Sequence, residues 1–233
     1  MLEQLQNIDF EPFIISFKLA SLTTFLLFII SIPLAWYLSQ TTSKLKPFLE
    51  ALSALPIVLP PSVLGFYILV AFSPNAPIGT FFDNIFDIKL VFSFSGLVVA
   101  SMLYSFPFML QPLQSGFTTL DKHILEASYI AGKSKFQTIL KIAIPNIKPS
   151  ILTAIIVTFA HTVGEFGVVL MVGGSIPGET KVASVAIYEM VEMMDYKSAH
   201  IYSAIMVLIS FLVLLSVYVF NRHYSKKMGL QAL

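Results

Sequence analysis

Two residues in an otherwise apolar stretch are equipped for chemistry. His161 and Glu165 lie four positions apart, with Thr158 and Thr162 beside them. On one helical face, an imidazole and a carboxylate can share a proton, hold part of a metal shell, or meet a polar solute in apolar surroundings. A metal site lacks a third ligand here, and the chain has no cysteine. Proton-transfer catalysis would call for a paired-carboxylate motif or H-E-x-x-H, and neither is present. Two readings remain: a His–Glu hydrogen bond between packed helices, or a face lining a water-filled path or subunit seam. A third group imitates a phosphate-binding loop. Gly132-Lys133-Ser134 ends like G-x-x-x-x-G-K-S, but Ala127 stands where the first glycine belongs. A helical stretch rather than a strand precedes it, so nucleotide must be handled by another chain.

The elements that position these groups follow from composition. The chain has 233 residues, 56% hydrophobic and 12% charged, with mean hydropathy +0.83 and net charge +1. A water-soluble globule, a disordered chain and a basic nucleic-acid binder are all excluded. A helix crossing the hydrocarbon core needs about 20 apolar residues. Such stretches occur at about 13–40, 48–72, 90–114, 147–172 and 198–221, within a single membrane domain over 1–233. Barrel strands would alternate, and these runs do not. The leader Met1 to Glu11 carries Glu3, Asp9 and Glu11 where a cleavable signal would be basic.

Charge orients the spans. Ten of the Lys and Arg residues fall after spans one and three or in the C-terminal tail, and only Lys89, Lys181 and Lys197 fall on the other side. Positive charge stays cytoplasmic, so the N-terminus is expected outside and the C-terminus inside. Lys18, at the outer edge of span one, can snorkel to the interface.

Span two holds Pro56, Pro60, Pro61 and Gly65. Backbone broken by prolines is tolerated at membrane depth where protein or water satisfies it, which points Pro60, Pro61 and Ser62 toward an interior path. They join Thr158, His161, Thr162 and Glu165 as candidate path residues. Outside, Gly173-Gly174 and Pro177-Gly178 form a turn into Val182–Met194. There Ser184, Tyr188, Glu192 and Asp195 make a polar stripe against Val182, Val185, Ile187, Met190, Val191 and Met194. This reads as an amphipathic helix lying at the external interface.

The cytoplasmic connection, about 118–146, has more local order than a tether needs. Asp121 can cap a helix that Gly132 ends in the left-handed conformation. Ser134 and Gln137 form a capping box for a second helix, limited by Pro145. Phe136, Ile139, Leu140, Ala143 and Ile144 share one side of it. Glu126-Ala127-Ser128, then Gly132, then Ile142-Ala143-Ile144-Pro145 resembles the "EAA" loop of ABC importer permeases. Ser128 replaces the second Ala of that pattern, and Ile144 its Leu. Gly164-Glu165-Phe166-Gly167, Gly174-Ser175-Ile176-Pro177-Gly178-Glu179-Thr180, Leu59-Pro60-Pro61-Ser62-Val63-Leu64-Gly65 and Ala186-Ile187-Tyr188-Glu189 resemble the molybdate branch of those permeases.

The resemblance implies an all-α type I importer permease in the inner (cytoplasmic) membrane, passing molybdate by alternating access. It also implies ATPase coupling through Glu126, Ala127, Ser128, Gly132 and Pro145. Implied partners are a second permease copy, ATP-binding cassette subunits, an extracytoplasmic solute-binding protein and membrane lipid, with no nucleic acid, cofactor, metal or catalytic residue. Tungstate or sulfate are alternative cargoes. A stand-alone secondary carrier is a further alternative, though no internal repeat supports it.

Overall fold

The computed structural model describes residues 9–227. The leader residues before Asp9, Glu3 among them, lie outside the described residues. Within them the chain is helical, without strands. Its helices are α1 (Glu11–Gln40), α2 (Lys46–Val58), α3 (Pro61–Phe72), α4 (Pro77–Phe86), α5 (Phe94–Thr118), α6 (Lys122–Ile130), α7 (Lys135–Asn146), α8 (Lys148–Val163), α9 (Gly167–Gly173), α10 (Ala183–Glu192) and α11 (Tyr196–Lys227).

Helices α1, α5 and α11 are each long and apolar enough to cross a membrane. The other two expected spans are not straight rods. Between α2 and α3 the axis turns by 110°, because Pro60 and Pro61 supply no N–H and hold the preceding backbone extended. Between α7 and α8 it turns by 79° at Ile147, just before Pro149. The stretch 147–172 is interrupted again, since α8 stops at Gly164 and α9 begins at Gly167. α4 is a short helix in the connection after α3 that the apolar-run reading passes over.

The core forms where α1 and α5 lie along each other. Leu27, Leu38, Met109, Leu110, Leu113 and Phe117 are fully or almost fully buried there, with Trp36 edge-on to Phe117 at 5.3 Å. α8 closes this layer from the other side. Gly116 permits it: a Cβ there would lie 2.6 Å from the Ser150 side chain. α9 packs against α3 with Ile68, Phe72, Val168 and Val172 buried between neighbouring helices. α11 is mostly exposed, and Val207, Leu208, Phe211 and Tyr218 point outward, as suits a helix facing lipid.

The outer helix α10 does not lie free at the interface. Val182, Ala183, Val185 and Ala186 are buried, partly against Phe13 and Tyr202. Ser16 Oγ accepts a hydrogen bond from Ala183 N–H at 2.8 Å across 167 positions, and Tyr202 donates to the Asp9 carbonyl at 2.8 Å. The apolar face expected to meet lipid is thus spent on α1 and α11, leaving Val191, Met193 and Met194 exposed at its end. The polar stripe also divides. Ser184 turns inward, Tyr188 donates to Glu192 at 2.6 Å, and Asp195 accepts from Ser198 N–H at the start of α11.

Candidate functional site

The two interruptions in the expected spans meet. A Cβ built on Gly167 would fall 2.8 Å from Pro61 Cβ, and one on Gly65 would fall 2.8 Å from Met171 Cβ. Glycine at both positions lets the start of α3 press directly on α9. Sequence reasoning placed Pro60, Pro61, Ser62 and Glu165 on one path, and the structure brings the two breaks together. Pro60, Pro61 and Ser62 are exposed.

His161 and Glu165 do not share a helical face. α8 ends between them, so the four-residue spacing no longer puts one above the other. The His–Glu hydrogen bond considered from sequence is absent. Glu165 sits in the break with its N–H donating to Thr162 O at 3.3 Å and its carbonyl accepting from Ser184 Oγ at 2.6 Å. The side chain is only 4% exposed, and neither carboxyl oxygen has a hydrogen-bond partner among the described residues. Ser101 lies beside it without meeting hydrogen-bond geometry. Glu165 is therefore buried inside this chain.

His161 belongs to a different cluster. Its Nδ1 lies 2.9 Å from Ser105 Oγ, which in turn lies 2.9 Å from Thr162 Oγ1; Thr162 donates to the Thr158 carbonyl at 3.0 Å. The ring stacks on Phe108 at 4.0 Å and leans on Tyr104 at 4.8 Å. Thr158 and Thr162 are buried; His161 is half-buried, on a side of α8 shared with the exposed Val157 and Gly164. Sequence reasoning missed Ser105, Tyr104 and Phe108. Their only signal was a pair of serines, Ser101 and Ser105, one helical turn apart in a charge-free run. Among the described residues no group of three His, Cys, Asp or Glu is placed to hold a metal.

The cytoplasmic loop takes the local structure its residues specify. Asp121 Oδ1 accepts from His123 N–H at 2.9 Å, and Gly132 adopts φ +76. Ser134 and Gln137 form the reciprocal capping box. Glu126, Ala127, Gly132 and Pro145 are exposed. Ser128, to which the resemblance gives a coupling role, is buried, with its hydroxyl 2.9 Å from Thr138 Oγ1, tying α6 to α7. The apolar side expected for α7 is also redistributed. A π-helical turn at Ile139–Ala143 adds a residue to the ladder, so Thr138, Ala143 and Ile147 face inward. Phe136 is left 70% exposed and Leu140 47%, and Ile130 at the end of α6 is 88% exposed.

On the outer side, Lys181 Nζ lies 2.5 Å from Glu189 Oε2. Partial burial works to raise the Glu189 carboxyl, but the Lys181 ammonium and the Ser175 hydroxyl together outweigh it and hold the group below the usual carboxylate range.

The family model described as "Binding-protein-dependent transport system inner membrane component" matches residues 28–230. The molybdenum transport system permease protein ModB of Azotobacter vinelandii is 46% identical over 90% of this chain and 93% of its own length. The sulfate transport system permease protein CysT of Salmonella typhimurium is 28% identical over 83% and 70%. Among solved structures, a bacterial ABC transporter that imports the acidic polysaccharide alginate superposes with TM-score 0.78 at 15% identity, covering 95% of this chain and 82% of that one. Bacterial alginate ABC transporter in complex with alginate pentasaccharide-bound periplasmic protein gives TM-score 0.75 at 16% identity, covering 99% and 83%. These structural matches establish the fold.

Proposed function

Since the chain belongs to the binding-protein-dependent transport system inner membrane components, multi-pass permeases of ABC importers rather than enzymes, we propose that its cargo is molybdate. The observation that carries this reading is the 46% identity to a molybdenum permease across nine-tenths of both chains. The 28% identity to a sulfate permease keeps a second tetrahedral dianion as the competing cargo.

Energy enters through the loop at about 118–146. Glu126, Ala127, Gly132 and Pro145 form the docking surface for a separate ATPase subunit, with Ile130, Phe136 and Leu140 as apolar anchors beside them. A short helical hairpin presenting exposed apolar side chains suits a groove on a partner. Ser128 acts within the hairpin, keeping α6 and α7 in register so that a pull on one moves both.

The whole chain, 1–233, is one membrane domain with the five spans bounded above. Five spans enclose little space, so two copies pair about a twofold axis, with the exposed Pro60, Pro61 and Ser62 and the half-buried His161 lining the seam between them. Thr158, Thr162 and Glu165 support that surface from within. An extracytoplasmic solute-binding protein delivers the anion to the outer face, where α10 and the turn before it are fixed to the core. ATP binding closes the motor pair and tips the spans from inward- to outward-facing.

The test is uptake in proteoliposomes holding the permease, its ATPase and its binding protein. Labelled molybdate should accumulate only with ATP inside the motor compartment, and tenfold excess sulfate should leave the rate nearly unchanged. Accumulation of sulfate in place of molybdate would reassign the cargo. Equal uptake without the ATPase would overturn the importer mechanism.

A further inference from the structure

Ser105, Thr162 and Thr158 make a hydrogen-bond chain with a direction. Thr162 has one hydroxyl proton and donates it to the Thr158 carbonyl at 3.0 Å. Its oxygen, 2.9 Å from Ser105 Oγ, is then left to accept the serine proton. Ser105 Oγ, with its own proton committed, accepts from His161 Nδ1 at 2.9 Å. The chain thus fixes the neutral ring as the Nδ1–H tautomer. Phe108 stacks on the ring and Tyr104 leans on it, which together with the Ser105 bond holds the ring in place against α5.

The remaining ring nitrogen, Nε2, makes no hydrogen bond to the described residues and is not sealed inside the protomer. In the neutral ring that atom carries a lone pair. A tetrahedral dianion such as molybdate offers only acceptors, so neutral His161 has nothing to give it. Protonation at Nε2 turns the same atom into a charge-assisted donor without disturbing the Ser105 bond.

We propose that His161 is a proton-dependent contact for the transported oxyanion, presenting an acceptor to the path when neutral and a cationic donor when protonated. This rests on the oxyanion-permease reading above. The groups facing the ring are few. α5 brings Tyr104; the break after α8 brings Glu165, whose carboxyl is buried and makes no bond to the imidazole. α1, packed on α8 through Phe17 and Phe159, carries Lys18, but that ammonium lies over the Phe94 ring. α11 carries Lys197 and His200, both exposed near its outer end. Inside the protomer, no described cation substitutes for a protonated His161.

The experiment measures molybdate uptake in the complete reconstituted importer between about pH 8 and about pH 4, a range that reaches below the usual imidazole window because the ring is half-buried, for wild type and His161→Arg. A guanidinium is charged throughout, so the ratio of wild type to His161→Arg cancels pH effects on the motor and binding protein. The ratio should rise about tenfold as pH falls, as expected for gaining one charge-assisted hydrogen bond. His161→Leu should be slow at every pH. Histidine nitrogen-15 spectra, with the His161 signal assigned by its loss in His161→Gln, should show the Nδ1–H form in the wild type and a mixture in Ser105→Ala. A pH-independent ratio, or an Nε2–H tautomer, would overturn the proposal. If the wild type moves sulfate and not molybdate, the cargo assignment fails, while the same ratio taken with sulfate still decides the role of His161.

Discussion

Pro61 and Gly167, from two different interrupted spans, approach so closely that a Cβ on the glycine would stand 2.8 Å from that of the proline. Real Cβ atoms do not tolerate this distance, so the crossing of α3 over α9 is possible only with glycine there. Gly167→Val should cost about 1–3 kcal/mol by overpacking. Gly164, the residue before Glu165 in the same break, is a control: a Cβ there meets nothing nearer than a carbonyl at 3.6 Å. Thermal unfolding in detergent should show a lowered midpoint for Gly167→Val and little change for Gly164→Ala. Equal loss in both would mean the break is sensitive to any side chain, and the close crossing would not be the reason.

Gly132 is constrained in the opposite way. Its built Cβ meets nothing within 4 Å, but φ is +76, where L side chains are strained. Gly132→Ala should cost about 1 kcal/mol through backbone strain alone, and Gly132→Asn less, since Asn tolerates the left-handed region. Because the strain sits in the hairpin proposed to dock the motor, co-purification of the ATPase should weaken in the order Gly, Asn, Ala. Undiminished capture by Gly132→Ala would remove the hairpin geometry from the coupling mechanism.

Ser128 and Thr138 share a buried hydrogen bond of 2.9 Å. Ser128→Ala leaves the Thr138 hydroxyl without a partner in the interior, which costs about 1–3 kcal/mol. Adding Thr138→Val removes the orphaned group, so the double variant should recover part of the loss. Urea or thermal unfolding of the four proteins in a double-mutant cycle gives the coupling directly. Additive losses would mean the two hydroxyls do not act as a pair.

Much of this was legible in the residues. Asp121, Gly132, Ser134 and Gln137 form caps because their side chains or backbone freedom act within one turn, and such local chemistry is written in adjacent positions. The long apolar runs announced α1, α5 and α11 for the same reason. What failed depended on distant partners. His161 and Glu165 looked like neighbours because spacing assumes a continuous helix, and Gly164 ends it. Ser105, the actual partner of His161, lies 56 positions away in sequence. Ser16, which holds α10 to the core through Ala183, is 167 positions away. A regular period put Phe136 and Leu140 on one side with Ala143, but the π-helical turn at Ile139–Ala143 shifts it, so Ala143 is buried while the other two stay exposed.

The outer face carries a contact whose strength depends on acidity. Lys181 and Glu189 pair at 2.5 Å across the turn into α10 and are both about three-quarters buried as side chains. Burial opposes ionisation of Glu189, and the Lys181 ammonium with the Ser175 hydroxyl overcomes it, so the folded carboxyl titrates below its unfolded counterpart. A depressed carboxyl stabilises the fold above the unfolded value, about 4.3, and the contribution fades as pH falls through the folded value. Acidifying detergent-purified protein from about pH 6 to about pH 4 should therefore lower the unfolding midpoint of the wild type more than that of Glu189→Gln, which has no proton to gain. Lys181→Met should sit lower at neutral pH, because it leaves the Glu189 charge without a partner, and should regain part of that loss on acidification, as protonation removes the unpaired buried charge. Parallel pH slopes in wild type and Glu189→Gln would assign the acid sensitivity elsewhere and make the pair a packing contact only.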